Sequence, residues 1–258
     1  MKKPINQEGQ VDTQIGSNGV AQITFSHPSH NSFPSELLKT LAAHIYEMRK
    51  NEQVKVILLK SGGDRTFCAG ASFDELVAIE SEAAGKTFFS GFAYVINAIR
   101  LCGKIVVGRV QGKAIGGGVG LAAACDYCFA TEQASIRLSE LGIAIGPFVI
   151  APAVQRKIGL VSFTELSLNP DQWRSAAWAK EKGLFQEVFP NIQEMDAGVQ
   201  AFCGRLAGYS SEALKGLKTI FWENTESWDE LLFNRAAISG KLVMTPEARE
   251  RLLAFKNK

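Results

Sequence analysis

The sequence predicts an α/β fold of stacked strand, glycine-loop and helix units, followed by a helical C-terminal region. Three observations carry this. The stretch VKVILLKSGGDRTFCAGASFDEL runs from a β-branched, apolar segment through a glycine-containing loop into a helix start. The stretch KIVVGRVQGKAIGGGVGLAAA repeats that order. From Asn191 onward the pattern is helical, interrupted at Gly208 and Pro246. Repeated alternation of strand and helix signals argues for stacked β/α units.

Taken in order, VDTQIGSNGVAQITFSHP alternates apolar and polar residues about Ser17-Asn18-Gly19, a good hairpin turn. Pro34 and Ser35 open a helix in which Leu37, Leu38, Leu41, Ile45 and Met48 fall at helical spacing. VKVILLKSG reads as a buried strand, and the loop after it leads to a helix start near Ser72. Residues 73–100 read as one helix rich in phenylalanine (Phe73, Phe88, Phe89, Phe92). Ile105, Val106, Val107 and Val110 form the next strand, and glycines 112, 116, 117, 118 and 120 then lead into LAAACD, a buried helix. YCFATEQASIRL reads as a strand pair. WRSAAWAKEKGLFQEVFP reads as helix, a stop at Gly183 and a short strand. A core unit is expected over residues 1–195 and a helical unit over 196–258.

Composition narrows the function. With 258 residues, 46% of them apolar, the chain can bury a sizeable core. A net charge of +2 lacks the basic excess of a nucleic-acid footprint. The five cysteines are odd in number and not spaced like a disulfide framework, which suits a reducing compartment. Cys125 and Cys128 spell C-x-x-C without a second pair and read as buried structural thiols. MKKPINQEGQ has no apolar run behind its lysines, and no stretch reaches the length of a membrane span. A cytoplasmic protein bound neither to membrane nor to nucleic acid is expected.

The chemistry is expected around the glycine run. A strand, a glycine cluster and a helix start bring bare N–H groups to one point. The first N–H groups of a helix lack internal partners and the helix dipole is positive there. Two such clusters on adjacent units would make a two-donor oxyanion hole.

At these residues the chain resembles the crotonase, or enoyl-CoA hydratase/isomerase, superfamily. HPSHNSF is similar to its early R-P-x-x-x-N-A-L segment, and RTFCAGASF to its F-[SC]-A-G-x-D-[LI] loop. VQGKAIGGGVGLAAACDYCFA, LSELGIAIGP and WRSAAWAKEKGLFQEVFP resemble further family segments in the family's order. The resemblance implies a spiral of ββα turns and C-terminal helices that pack trimers, often paired as hexamers. It implies an acyl-CoA thioester as substrate, with no cofactor beyond that coenzyme A and no metal. The thioester carbonyl would be held by the N–H groups of Ala71 and Gly117. CoA would lie along the loops holding His30, Phe33, Cys68 and Ala69, with Gly116, Phe73 and Phe148 as further substrate contacts.

Hydratases of this kind use two glutamates. The second aligns with Glu140; the first falls at Gly120, so one is lost. GIAIGPFVIAPAV also resembles the single-glutamate isomerases, in which one carboxylate moves a proton from the α-carbon to the γ-carbon. The apolar neighbours Leu138, Leu141 and Ile143 are expected to raise the Glu140 pKa. The resemblance therefore implies double-bond isomerisation, with hydration as the alternative. Ser72 stands where the family usually has Asp. Phe88, Phe89 and Phe92 are core residues that would also wall an acyl pocket. Trp173, Trp178, Trp222 and Trp228 are read as packing or subunit contacts, and Lys256 and Lys258 as phosphate contacts. Two other classes stay open. Gly118 to Ala123 spells G-x-G-x-x-A, a nicotinamide dinucleotide fingerprint, although Glu132 and Glu140 are both misplaced for its acidic residue. A non-catalytic binding protein rests only on the missing glutamate.

Overall fold

The computed structural model describes residues 9–256, with side chains to residue 254. The chain begins with the expected hairpin. Strands β1 (Gln10–Ile15) and β2 (Val20–Ser26) pair antiparallel across the 16–19 turn, which Gly16 N–H closes on Val20 O at 2.9 Å. Helix α1 (Ser35–Lys50) follows Pro34 and buries the predicted leucine, isoleucine and methionine stripe; Glu36 lies in its first turn, Arg49 and Lys50 in its last, each favourable to the helix dipole.

The chain then repeats one pattern three times. A long strand enters a first sheet, a short strand enters a second, and a helix returns. The long strands are β3 (Val56–Ser61), β5 (Ile105–Val110) and β7 (Tyr127–Thr131). Their short partners are β4 (Thr66–Cys68), β6 (Lys113–Ile115) and β8 (Ser135–Arg137). The returning helices are α2 (Phe73–Val77) with α3 (Glu82–Leu101), then α4 (Gly117–Ala124), then α5 (Ala151–Leu168). After β9 (Arg174–Ser175) and α6 (Ala176–Glu181), β10 (Glu187–Phe189) completes the first sheet, ordered β1-β2-β3-β5-β7-β10. The second sheet is ordered β4-β6-β8-β9. All pairings are parallel except β1 with β2 and β8 with β9. This is the expected spiral of ββα turns.

Four expectations change. Residues 73–100 form two helices: Ser81 accepts from the Ala84 N–H and starts α3 afresh. Strands β7 and β8 do not pair with each other, because they belong to different sheets. The glycine loops hide strands β4 and β6. Gly118, Gly120 and Ala123 all lie within α4 rather than at the turn before it, so the dinucleotide fingerprint has the wrong geometry.

The helical end comprises α7 (Ile192–Ala207), α8 (Ser211–Phe221), α9 (Trp228–Leu242) and α10 (Pro246–Lys256). Gly208 ends α7 as expected, but Pro246 opens a helix. The boundary expected after residue 195 falls inside α7. Met195, Val199 and Cys203 of that helix share one apolar cluster with Val56, Val107 and Phe129 of the sheet. Asp126, just before β7, ties α8 to the core. Its carboxylate accepts from Val106 N–H (2.7 Å), Lys218 Nζ (2.6 Å) and Trp222 Nε1 (2.7 Å). Trp222 and Trp228 are buried edge to face, which makes them packing residues within this chain.

Candidate active site

Strands β4, β6 and β8 end side by side and point their following loops at one cleft. The cleft has a volume of about 660 Å³. Its apolar wall is built by Phe73, Phe89, Phe92, Ile143, Ile145, Phe148 and Ile150. Its mouth carries His27, His30 and the exposed Asp74 and Asp171.

Local hydrogen bonding aims the Ala71 N–H. Phe33 and Ala71 form an isolated parallel bridge. In it Phe33 N–H donates to Gly70 O and Ser72 N–H donates to Phe33 O, both at 2.8 Å. A parallel bridge uses the peptide groups flanking Ala71, so the Ala71 N–H points away from Phe33. Gly117 is the first residue of α4, where an N–H has no intrahelical acceptor. Among the described residues, no carbonyl takes either N–H. The two loops also touch: a Cβ placed on Gly70 would lie 3.6 Å from Gly117 N. Ser72 caps α2 by accepting from Glu75 N–H, so the serine found in place of the family's aspartate keeps a structural job.

Glu140 opens a 3₁₀ turn, Glu140–Ile143, directly after β8. Its carboxylate lies over Gly116. A Cβ on Gly116 would sit 2.7 Å from Glu140 Oε1, and Gly116 has φ 51°, ψ −116°, a conformation open to glycine. Glu140 Oε2 is shut off from water and has no hydrogen-bond partner. Burial pushes its pKa up to about 7, against weaker opposing pulls from a backbone N–H and the Arg137 charge. The site at Gly120 is closed: a Cβ there would lie 2.3 Å from Ile150 Cγ2. A second carboxylate at position 120 has no room while Ile150 is in place.

The other expected contacts divide. His30, Ala69, Phe73, Gly116 and Phe148 line the cleft. Phe33 and Cys68 do not, which corrects the expectation for their side chains. Both are wholly buried, Phe33 against Phe25 and Phe92, and Cys68 beneath Gly118. Phe88 is also turned into the core, edge to face with Phe89. The Lys256 side chain and Lys258 lie outside the described residues. Sequence reasoning missed Arg137 and Ser239, which also line the cleft. The expected alternation of β8 places Arg137 on the same face as Ser135, but no sequence signal ties Ser239 of α9 to the site. Asn31 holds the mouth loop: its Nδ2 donates to Gly62 O and Thr66 O at 2.8 Å.

Comparison with known proteins agrees with this architecture. A family model described as Enoyl-CoA hydratase/isomerase matches residues 16–258. The peroxisomal Delta(3,5)-Delta(2,4)-dienoyl-CoA isomerase of Arabidopsis thaliana is 27% identical over 81% of this chain and 79% of its own. The mitochondrial methylglutaconyl-CoA hydratase of Rattus norvegicus is 28% identical over 88% of this chain and 73% of its own. The crystal structure of enoyl-CoA hydratase from Bacillus halodurans superposes with a TM-score of 0.88 at 22% identity, covering 95% of this chain and 99% of that one.

Proposed function

We propose, from the premise that this chain belongs to the enoyl-CoA hydratase/isomerase family of enzymes acting on acyl-CoA thioesters, that it moves a double bond along an enoyl-CoA with Glu140 as its single acid/base. The observation that carries the reading is the buried Glu140 carboxylate, with the space for a second acid at position 120 taken up by Ile150.

The steps follow from the groups present. The N–H groups of Ala71 and Gly117 hold the thioester oxygen and stabilise the negative charge that develops on it. The Glu140 carboxylate takes the α-proton of a 3-enoyl-CoA. The electron pair passes to the thioester oxygen as a dienolate. The same carboxyl, now protonated, delivers the proton to the γ-carbon, and the double bond comes to rest at the 2,3 position. A pKa near 7 suits a group that must accept and return a proton at neutral pH. Apolar walls keep competing water from the dienolate. The reading calls on no cofactor other than substrate CoA, which would run past His30 and Ala69. It includes assembly as a trimer or a pair of trimers, and a cytoplasmic setting in keeping with five free thiols. No helix of the described residues is long and apolar enough to cross a membrane.

The test is to offer crotonyl-CoA and a 3-enoyl-CoA side by side and follow the conjugated thioester absorbance. Gain of absorbance with the 3-enoyl substrate alone is the expected result. Loss of absorbance with crotonyl-CoA would mean water addition, and the isomerase reading would give way to a hydratase.

A further inference from the structure

Arg137 is the one lysine or arginine lining the cleft among the described residues. Its guanidinium carbon lies 4.7 Å from the centre of the Trp173 ring, with Lys113 Nζ 5.1 Å from the same ring. Its Nε is buried with no hydrogen-bond partner. No described carboxylate forms an ion pair with it. Neighbouring Arg174 also has a buried, unpartnered Nε, but its charge is met by Glu165 at 2.7 Å. Arg137 is half-buried and has no ion-pair partner among the described residues, although the Glu140 carboxyl lies close enough to feel its charge. Buried polar groups ordinarily have partners, and leaving one without costs stability. A planar guanidinium fixed on an aromatic face is matched to a carboxylate that enters the cleft.

Its place in the second sheet says which part of a substrate arrives there. Gly116 N–H donates to Arg137 O at 2.9 Å, and Ile115 is its partner across the ladder. Strand β6, which leads to Gly117, has β4 on one side and β8 on the other. The loops proposed to hold CoA belong to the β4 side, where Phe33 bridges Ala71. Arg137 is on the opposite side, beside Glu140, and the pantetheine arm keeps the CoA phosphates away from the reacting carbons. We propose that Arg137 receives a carboxylate at the far end of the acyl group, so that the preferred substrates are acyl-CoA thioesters carrying a second acid. This rests on the acyl-CoA reading above and names its substrate class.

Two saturated thioesters of equal length, glutaryl-CoA and pentanoyl-CoA, differ only in that terminal acid. Calorimetric binding to the full chain is expected to favour glutaryl-CoA by about tenfold or more, the scale of a charge-assisted hydrogen bond. The ratio should fall to near one in Arg137→Met and be partly kept in Arg137→Lys, with melting curves showing both variants folded. A ratio near one in the unaltered protein overturns the proposal. So does an equal weakening of free CoA by Arg137→Met, which would put the arginine on a CoA phosphate. Saturated thioesters undergo no turnover, so a kept binding preference with no 3-enoyl isomerisation would sink the isomerase reading and leave the carboxylate site standing.

Discussion

Asp126 and Glu140 are two carboxylates withdrawn from water in the same chain, and they are treated in opposite ways. Asp126 accepts from three donors, one of them the Lys218 ammonium, and both side chains of that ion pair are almost wholly buried. Glu140 has one oxygen with no partner at all. A buried charge whose lone pairs are filled is held in one state and serves as a fastener. A buried carboxyl left short of donors sits near its protonation midpoint and can exchange a proton with whatever enters. On the proposed function, the difference is that between a structural acid and a chemical one.

The sharpest way to break this contrast is to remove each charge. Glu140→Gln keeps the shape and removes the proton carrier. Turnover should fall by about a hundredfold to ten-thousandfold, measured on a 3-enoyl-CoA, with the fold intact. Lys218→Met leaves Asp126 buried beside an apolar chain. Denaturant unfolding should show a loss of about 3–5 kcal/mol, while the folded fraction keeps its turnover per molecule. A third expectation concerns pH. The Glu140 pKa is raised from 4.5 to about 7, so the native state holds that proton more tightly than the unfolded chain. Its contribution to stability is full below about 4.5 and is lost as pH rises through about 7. Relative to Glu140→Gln, the unaltered protein should lose about 3 kcal/mol of stability across that window, the scale of the shift. Its activity should rise over the upper part of it as the base form appears. An unchanged stability difference between pH 5 and pH 8 would show that Glu140 is solvated like any surface acid. The smallest effect is Gly120→Ala. Its methyl meets Ile150, and displacing that side chain should cost about 1–3 kcal/mol in thermal or denaturant melts. If the variant is as stable as the parent, Ile150 yields easily and position 120 is not closed to a second acid.

The two carboxylates also differ in how far the sequence exposed them. Glu140 lay in a segment that resembled a known family, and its apolar neighbours gave a physical reason for a raised pKa before any coordinates. Asp126 stood in a quoted motif, yet its partners Lys218 and Trp222 lie in a distant helix where nothing local marks them as buried. The long strands and α1 were legible because their apolar periods are regular. Strands β4 and β6 were not, because three residues among glycines give no period to count. Phe33 and Cys68 were placed in the site because their loops border it. The bridge between Phe33 and Ala71 presents backbone to the cleft and turns those side chains into the core. Arg137 escaped notice because a cation in a strand reads as solvated until the burial of its Nε is seen.

Helices α3 and α9 cross where Gly85 meets Gly240; a Cβ on Gly85 would lie 2.7 Å from the Gly240 Cα. That close approach sets Ser239 into the cleft wall. Any side chain larger than hydrogen at either glycine would wedge the two helices apart and carry Ser239 away from the cleft wall, so the width of the chamber is set by two residues that never touch its contents.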